Sequence, residues 1–293
     1  MSVVTVQPPA PSAVSAHVGV DTFIDFFARH PRLFVLTGAG CSTDSGIPDY
    51  RDTNGEWKRA RPVMFADFTG KEATRKRYWA RSLVGFRRMR GARPNDAHLA
   101  LTTLERAGHI EQLVTQNVDG LHQKAGTRNV IDLHGRIDTV RCLGCGRRTP
   151  REQMQLELER LNSTFAALDG SDAPDGDADL TDVSYDAFVV PACDACGTML
   201  KPDVVFFGEG VPQERVERAM AAVEASDAML VVGSSLMVYS GYRFVAAMAE
   251  TGKPIAAINR GRTRADHLLA QKIDADCASV LRQVTGAICG DQM

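Results

Sequence analysis

Leu33-Phe34-Val35-Leu36-Thr37 runs straight into Gly38-Ala39-Gly40-Cys41-Ser42-Thr43-Asp44-Ser45-Gly46-Ile47-Pro48-Asp49-Tyr50-Arg51-Asp52. A short apolar run that ends in Gly-x-Gly and opens into a helix-compatible segment reads as a buried strand delivering a phosphate to a helix N-terminus, where backbone N–H groups face the anion. The usual dinucleotide fingerprint is not complete here. Its third glycine would fall at position 43, which is Thr, and no strand ending in an acidic residue follows about 20 residues on, so an ordinary dehydrogenase is disfavoured. Pro48 lacks an N–H and drives Ile47 toward extended geometry, which breaks the helix early. Asp49, Tyr50, Arg51 and Asp52 then form a polar loop over the expected cofactor.

Working outward, the rhythm of strand, polar tip and helix recurs. A helix over 21–30 leads into the first strand, and Asn95 caps a helix that Gly108 stops. The strand 110–115 ends in Gln116-Asn117-Val118-Asp119-Gly120-Leu121-His122, and the strand 129–133 delivers His134-Gly135. Farther on, residues 203–209 read as another central strand. The strand 229–232 precedes Gly233-Ser234-Ser235, and 254–258 precedes Asn259-Arg260-Gly261, with helices over 212–225 and 242–250 and a last short strand over 272–275 before Cys277. Polar side chains at the C-terminal ends of strands in an α/β sheet project into the binding crevice. Gln116, Asn117 and Asp119 offer partners for ribose hydroxyls or a carboxamide, and Gly233, Ser234 and Ser235 offer donors for a pyrophosphate or ribose. His134, at a strand end and followed by glycine, has the placement of a general base with an ordinary pKa of about 6.5. Helix capping by Asn117 or Asp119, and a core role for His134, are the purely structural alternatives.

Cys142-Leu143-Gly144-Cys145 and Cys193-Asp194-Ala195-Cys196 are separated by 47 residues. Two such knuckles close a tetrahedral thiolate site with no position left for water, so the metal is expected to be structural. A redox-active pair is the competing reading, and it gives no reason for the second pair. Between the knuckles lie a helix-like stretch over 152–168, expected to pack through Met154, Leu158 and Leu161, and an acidic stretch over 169–186 with seven Asp and no basic residue, read as an exposed loop. A small metal domain thus interrupts a large one.

The chain has 293 residues, 44% hydrophobic and 24% charged, with a formal net charge of -2; a large core is possible and no global basic field points to nucleic acid. Residues 51–93 are the exception, with 13 Lys or Arg against four acids, interleaved with Tyr78, Trp79, Leu83 and Phe86. A helical insert with one apolar stripe and a solvated basic face accounts for that pattern. Apolar runs stop long before the roughly 20 residues that span a bilayer. Residues 1–16 carry no Lys or Arg, so neither a secretory signal nor a transit peptide is expected, and cysteines in metal-type pairs suggest a reducing, cytoplasmic setting.

Gly38-Ala39-Gly40 with Gly46-Ile47-Pro48-Asp49-Tyr50-Arg51, the stretch Thr115 to His122, His134-Gly135, the cysteine pairs, Val205-Phe206-Phe207-Gly208-Glu209 and Gly233-Ser234-Ser235-Leu236 together resemble the sirtuin family of NAD-dependent protein deacylases. Arg77-Tyr78-Trp79-Ala80-Arg81, residues 201–208 and Val238-Tyr239-Ser240-Gly241-Tyr242-Arg243-Phe244 are similar to its class II branch, which includes the mitochondrial enzyme associated with lipoamidase, deacylase and ADP-ribosyltransferase activities. Cys41 stands where an aliphatic residue or Ala is expected.

The resemblance implies a Rossmann-like parallel sheet (19–50, 94–140, 200–285), a helical and cofactor-loop insert (51–93), a zinc-binding small domain (141–199), and tails at 1–18 and 286–293. It implies that an acylated lysine of a protein substrate enters the cleft between domains and that NAD is consumed. The acyl oxygen attacks the ribose C1′ to give an alkylimidate, and His134 serves as base for the ribose hydroxyl. By resemblance, Ala39 with its neighbours Gly38 and Gly40, and Arg51, lie at the phosphates, Asp49 and Asn117 near the nicotinamide and its ribose, Asp119 in the nicotinamide pocket, and Gly233, Ser234, Asn259 and Cys277 on the adenosine half; Ser42, Ile47, Tyr50, Ser235, Arg260 and Gly261 complete the cofactor-binding set. Gln116 pairs with ribose and orients His134, so His134, Asn117 and Gln116 form the catalytic set. A loop from Ile47 to about Met64 is expected to close on NAD. Tyr78 and Arg81, three apart on a helix, match the pair with which some family members read an acidic acyl chain. A mono-ADP-ribosyltransferase, a lipoamidase or a non-catalytic NAD-binding scaffold are the rival readings, and a monomer is the default.

Overall fold

Twenty-one helices and strands of the computed structural model, which describes residues 19–58, 62–172, 177–180 and 183–290, follow the alternation read from the sequence. In chain order they are α1 (Val20–Arg29), β1 (Leu33–Thr37), α2 (Phe65–Gly70), α3 (Glu72–Gly91), α4 (Asp96–Arg106), β2 (Ile110–Thr115), α5 (Leu121–Ala125), β3 (Val130–Asp132), β4 (Gly135–Cys142), β5 (Arg148–Pro150) and α6 (Arg151–Leu161). There follow α7 (Ser163–Ala166), β6 (Ser171–Asp172), β7 (Ala178–Asp179), β8 (Leu200–Val204), α8 (Gln213–Ala225), β9 (Ala228–Val232), α9 (Tyr239–Glu250), β10 (Ile255–Ile258), β11 (Gln271–Ile273) and α10 (Cys277–Cys289). The expected tail at 1–18, and Arg59 and Arg61 of the basic stretch, lie outside the described residues.

The large sheet has the order β11-β10-β9-β1-β2-β3, and every pairing in it is parallel. All five residues of β1 and of β9 are buried, as a parallel strand covered on both faces requires. Side chains alternate between faces. Leu33 and Val35 of β1, with Leu230 and Val232 of β9, pack under Phe23, Phe26 and Phe27 of α1, Leu101 of α4 and Leu281 of α10. Phe34, Leu36, Met229 and Val231 point the other way, onto Val223 of α8 and Phe244 and Met248 of α9. Two apolar layers thereby clamp the sheet. The chain crosses from one half of the sheet to the other between β1 and β9, and that switch point opens a crevice beyond the carboxyl ends of the two strands.

A second, antiparallel sheet of order β5-β4-β8 carries the cysteine knuckles. Here the structure departs from the sequence expectation. Residues 203–209 are not a central strand of the large sheet: β8 ends at Val204 and pairs antiparallel with β4, and the chain then turns so that Val205 N–H donates to the His134 carbonyl at 2.7 Å. A β-branched and aromatic run fits either sheet, and its partner decides. The small sheet also begins at Gly135, earlier than the expected boundary at 141. No α-helix follows Gly38-Ala39-Gly40; two 3₁₀ turns, Ala39–Cys41 and Thr43–Ser45, stand there, ended by Gly46 at φ 81°. The stretch 152–168 is two helices broken at Asn162, whose side-chain amide donates to Val189 O at 2.9 Å and accepts from Val189 N–H at 2.7 Å. Met154 and Leu158 are buried in a cluster with Trp79, Leu83 and Val140, whereas Leu161 is only half-buried.

Candidate functional site

The crevice is a cavity of about 710 Å³ lined from four directions: the turn after β1, the tip of β2, the segment after β8 and the tips of β9 and β10. Its floor is built from backbone against backbone. A Cβ at Gly38 would stand 2.8 Å from the Gly233 carbonyl oxygen, one at Gly40 3.0 Å from Gly233 Cα, and one at Gly233 2.3 Å from the Cys41 nitrogen. Only glycine lets the two strand tips approach this closely, and Gly233 also has φ 61°. Two further bonds lock them, Gly38 N–H to Val232 O at 3.0 Å and Gly40 N–H to Gly233 O at 2.8 Å. Leu236, buried, has φ 59°, the one non-glycine with positive φ among the described residues, and it turns the chain from Ser234 toward α9.

The tip of β2 is tied to that floor. Gln116 Nε2 donates to Ser234 Oγ at 2.7 Å, and Asn117 Nδ2 donates to Gly38 O and to Ser42 Oγ, both at 3.0 Å. Ser42 Oγ donates in turn to Asp119 Oδ2 at 2.8 Å, while Asp119 Oδ1 accepts from Leu121 N–H at 2.8 Å, the capping contact for α5. Asp119 therefore both caps and lines the cavity. Its capping contact and its place on the wall use different oxygens.

His134 stands at the junction of the two sheets, half-buried, with Nδ1 2.9 Å from Gln116 O and Nε2 2.8 Å from Ser240 Oγ. A carbonyl only accepts, so Nδ1 carries the proton and the Nε2 lone pair accepts from the Ser240 hydroxyl. Burial lowers the imidazole pKa to about 4, against the raising effect of the Gln116 carbonyl and with Arg215 and Arg243 adding to the fall. The ring is a neutral base at neutral pH, with Nε2 as its proton-accepting nitrogen.

Above the floor, the loop after Pro48 folds over. Arg51 Nη1 donates to Gly55 O at 2.8 Å and the guanidinium lies 3.8 Å over the Trp57 ring, with Tyr50, Trp57 and Phe207 edge to face. Lys58 pairs with Asp49. The loop is anchored at Gly261: Arg262 N–H donates to Thr53 O at 2.8 Å, and a Cβ at Gly261 would stand 2.3 Å from that oxygen. Asn259 turns back on its own loop through Nδ2 to Arg260 O at 2.9 Å, and Cys277 Sγ, buried, donates to Ile258 O at 3.6 Å.

Every candidate cofactor residue from the sequence lines this cavity except Gly261, which instead seats the loop above it. Tyr78 and Arg81, the pair expected to read the acyl chain, are not among the residues that line it. Tyr78 is buried against Phe68, Trp79 and Phe206, and Arg81 Nε pairs with Asp177 Oδ2 at 3.0 Å and donates to Ala178 O at 2.9 Å. An arginine with a buried carboxylate within reach settles there before it reads a ligand. Ser240 was missed by sequence reasoning, and so was Gly241, where a Cβ would stand 2.6 Å from Gln116 Oε1. The signal was a small polar pair at a helix start just after a polar strand tip, one element later than the tips that were read.

The four knuckle cysteines gather as the spacing required. Cys142 and Cys196 sulfurs are 3.4 Å apart, those of Cys145 and Cys193 3.9 Å, and all four lie within 4.8 Å of one another. The edge of a tetrahedron of thiolates at zinc distances is about 3.8 Å, so the set fits Zn²⁺. Hydrogen bonds from Thr198, side chain first and then backbone, lower the Cys196 thiol to about 6, which favours the thiolate that a metal needs.

The glycine-floored cavity suits a dinucleotide whose pyrophosphate must lie on backbone, and the comparisons agree. The Sir2 family model matches residues 38–240. An NAD-dependent protein deacetylase of Xanthomonas campestris pv. campestris (strain B100) is 65% identical over 257 residues, 88% of each chain. NAD-dependent protein deacetylase 2 of Bradyrhizobium diazoefficiens is 63% identical over 257 residues, 88% of this chain and 94% of that one. Among solved structures, Sir2-p53 peptide-NAD+ superposes with TM-score 0.75 at 30% identity, covering 92% of this chain and 98% of that chain. With the family's model spanning the cavity from Gly38 to Ser240 and relatives this similar along most of the chain, the protein belongs to the Sir2 family.

Proposed function

We infer that the chain is an NAD-dependent protein lysine deacetylase, acting on acylated lysine and consuming NAD as co-substrate. The observation that carries it is His134: a neutral base at the wall where the two sheets meet, its Nδ1 proton held by Gln116 O and its Nε2 facing Ser240. The names of its relatives and of peptide-bound neighbours, including Sir2 with a propionylated peptide at TM-score 0.74 and 29% identity, support the same reading.

NAD, when bound, supplies the ribose carbon that takes the acyl group and the nicotinamide that leaves. The rest is done by this chain. Gly38, Gly40 and Gly233 admit a pyrophosphate to the backbone, and Gln116, held by Ser234, would pair with a ribose hydroxyl. Asn117 and Asp119 hold the inner end through Ser42. The loop carrying Tyr50, Arg51 and Trp57 excludes water. His134 Nε2 accepts a hydroxyl proton once Ser240 yields its hydrogen bond.

Within the family, we also infer an affiliation with the branch that includes the mitochondrial lipoamidase and ADP-ribosyltransferase enzyme, supported by Val238-Tyr239-Ser240-Gly241-Tyr242-Arg243-Phe244, whose Ser240 and Arg243 line the cavity. Incubation with NAD and a panel of acyl-lysine peptides tests the function, reading nicotinamide and peptide mass together. Nicotinamide release coupled one to one to loss of the acyl mass is expected. ADP-ribose added to a protein without deacylation, or NAD left intact, would overturn it.

A further inference from the structure

Directly beneath the cavity floor lies a group of side chains that the reaction does not use: Cys41 on the turn after β1, His98 on the first turn of α4 and His122 on α5. All three are buried, and one ligand atom from each lies within 4.8 Å of the others. The His98 and His122 ring centroids are 4.8 Å apart. Hydrogen bonding leaves His122 with a nitrogen aimed at nothing. Its Nε2 stands 2.9 Å from Thr37 Oγ1, whose own proton goes to Thr115 Oγ1 at 2.8 Å, so Nε2 must donate and Nδ1 is a bare lone pair. Nδ1 has no partner among the described residues although it is fully enclosed. His98 Nδ1 stands 3.0 Å from Asn95 Oδ1 and also 3.3 Å from the Asn95 N–H that donates to it in the capping box of α4, and Nε2 has only a 3.5 Å contact with Ser42 Oγ.

We propose that Cys41, His98 and His122 form a second metal site, separate from the four-cysteine site, which takes a thiophilic d¹⁰ cation such as Zn²⁺ and inhibits the enzyme when filled. One thiolate and two imidazoles are a zinc donor set; Thr37 fixes the His122 tautomer that ligation needs, and His98 would ligate through Nε2 by giving up the Asn95 N–H bond and donating from Nδ1 to Asn95 Oδ1. Tetrahedral ligation asks for edges of about 3.3–3.8 Å, so the donors close by roughly 1.5 Å at most. Burial keeps both rings neutral, and it also pushes the Cys41 thiol well up, so the metal must supply the free energy of removing that proton. Ligation breaks the Cys41 S–H bond, forms a sulfur–metal bond and sends the proton to solvent. Ser42 Oγ, 3.5 Å from His98 Nε2 and bonded to Asp119, lines the cavity and links the cluster to it. Inhibition follows from the chain itself: Cys41 lies between Gly40 and Ser42, so drawing its sulfur downward moves the floor on which NAD rests.

The test uses the purified enzyme with its structural zinc in place. Zn²⁺ is added and bound metal counted after gel filtration, with deacetylation of an acetyl-lysine peptide measured in parallel. The parent and Cys289→Ser, a control away from the cluster, are expected to bind a second zinc. Each should lose activity roughly tenfold when free Zn²⁺ is about ten times its Kd, reversibly with chelator. Cys41→Ala is expected to stop at one zinc and to keep its activity under the same load. Co²⁺ added to the zinc enzyme should give a thiolate charge-transfer band that Cys41→Ala lacks. A parent that saturates at one zinc per chain overturns the proposal, even if the variant misfolds. So does a Cys41→Ala enzyme that binds and is inhibited like the parent. The metal count stands apart from the deacetylase reading, so the two can fail separately.

Discussion

The crevice over the parallel sheet and the basic insert at 51–93 are held by different forces. In the crevice, strand tips meet backbone to backbone, and Gly38, Gly40 and Gly233 allow no side chain between them. In the insert, long side chains reach across to the acidic half of the small domain: Arg81 to Asp177, Arg87 to Glu159, Arg88 to Asp169 and Arg90 to Glu152, with Lys76 donating to Asp186 O. Most of these pairs are exposed, and each contributes on the order of 0–1 kcal/mol. Two stretches of opposite charge, separated by 62 to 110 residues, neutralise each other in the fold. Position in the crevice is thus set by backbone contact, while the insert packs an apolar stripe, Trp79 and Leu83 among it, on Met154 and Leu158, and adds ion pairs of little individual weight around it.

That contrast predicts where single changes bite. His134→Ala should lower deacetylation by about 10²-fold or more while leaving NAD affinity within a few-fold, because it removes a base and no part of the glycine floor. Single-turnover rates beside NAD titration check it; equal turnover would remove His134 from the chemistry. Cys142→Ser should release the structural zinc and lower Tm by roughly 10 °C, the shift that about 3–5 kcal/mol gives in a chain of this size. Activity would fall indirectly, through the β4 and β8 wall of the cleft. Metal analysis with calorimetry decides, and an unchanged zinc content would refute the site.

Ser240→Ala sharpens the account of the base. The Ser240 hydroxyl donates to the neutral form of His134, so its loss disfavours that form and raises the imidazole pKa from about 4. For the parent, the lowered pKa keeps the base unprotonated as pH falls through 6.5, so kcat/KM should hold across that range and fall only toward about 4. Stability has the same sign. An imidazole that stays neutral in the fold but protonates in the unfolded chain gives its full contribution above about 6.5, lost progressively as pH drops toward the folded value. In Ser240→Ala the acidic limb should move to higher pH, with kcat/KM at neutral pH down by roughly 2- to 10-fold, the scale of one hydrogen bond. An unmoved limb would mean that Ser240 only fills space.

The crevice was legible in the sequence for a physical reason. Gly38, Gln116, Asn117, His134 and Gly233 all follow apolar runs, and a parallel sheet puts such positions at one edge. The four cysteines were legible because metal chemistry fixes their spacing. The Val205-Phe206-Phe207 run was misread because β-branched and aromatic residues suit any sheet, and nothing local says that Lys201 and Pro202 pair with Arg141 and Val140. Ser240 escaped because its partner, His134, is more than a hundred residues away. The basic stretch suggested a solvated face, since its acidic counterpart lies in a different domain.

Arg81 tests the insert side of the comparison with the smallest expected effect. The helix places Tyr78 and Arg81 three residues apart, the spacing that suggested a carboxylate-reading pair for succinyl- or glutaryl-lysine. In the fold Tyr78 is 4% exposed among aromatic rings, and the Arg81 guanidinium is engaged by Asp177, whose side chain is 7% exposed. An ion pair with one buried partner resists exchange, because releasing Arg81 to a ligand takes a cation away from the enclosed Asp177 carboxylate. Arg81→Met should therefore weaken stability, and reduce turnover of acetyl- and glutaryl-lysine peptides to the same small extent, within roughly 2- to 5-fold, by loosening the contact between α3 and the acidic segment. Double substitution with Asp177→Asn should recover part of the lost stability, since it removes the enclosed charge. Parallel kinetics on the two peptides decides the matter. A loss of tenfold or more confined to the glutaryl peptide would restore Arg81 as an acyl reader and require the Asp177 pair to open when that substrate binds.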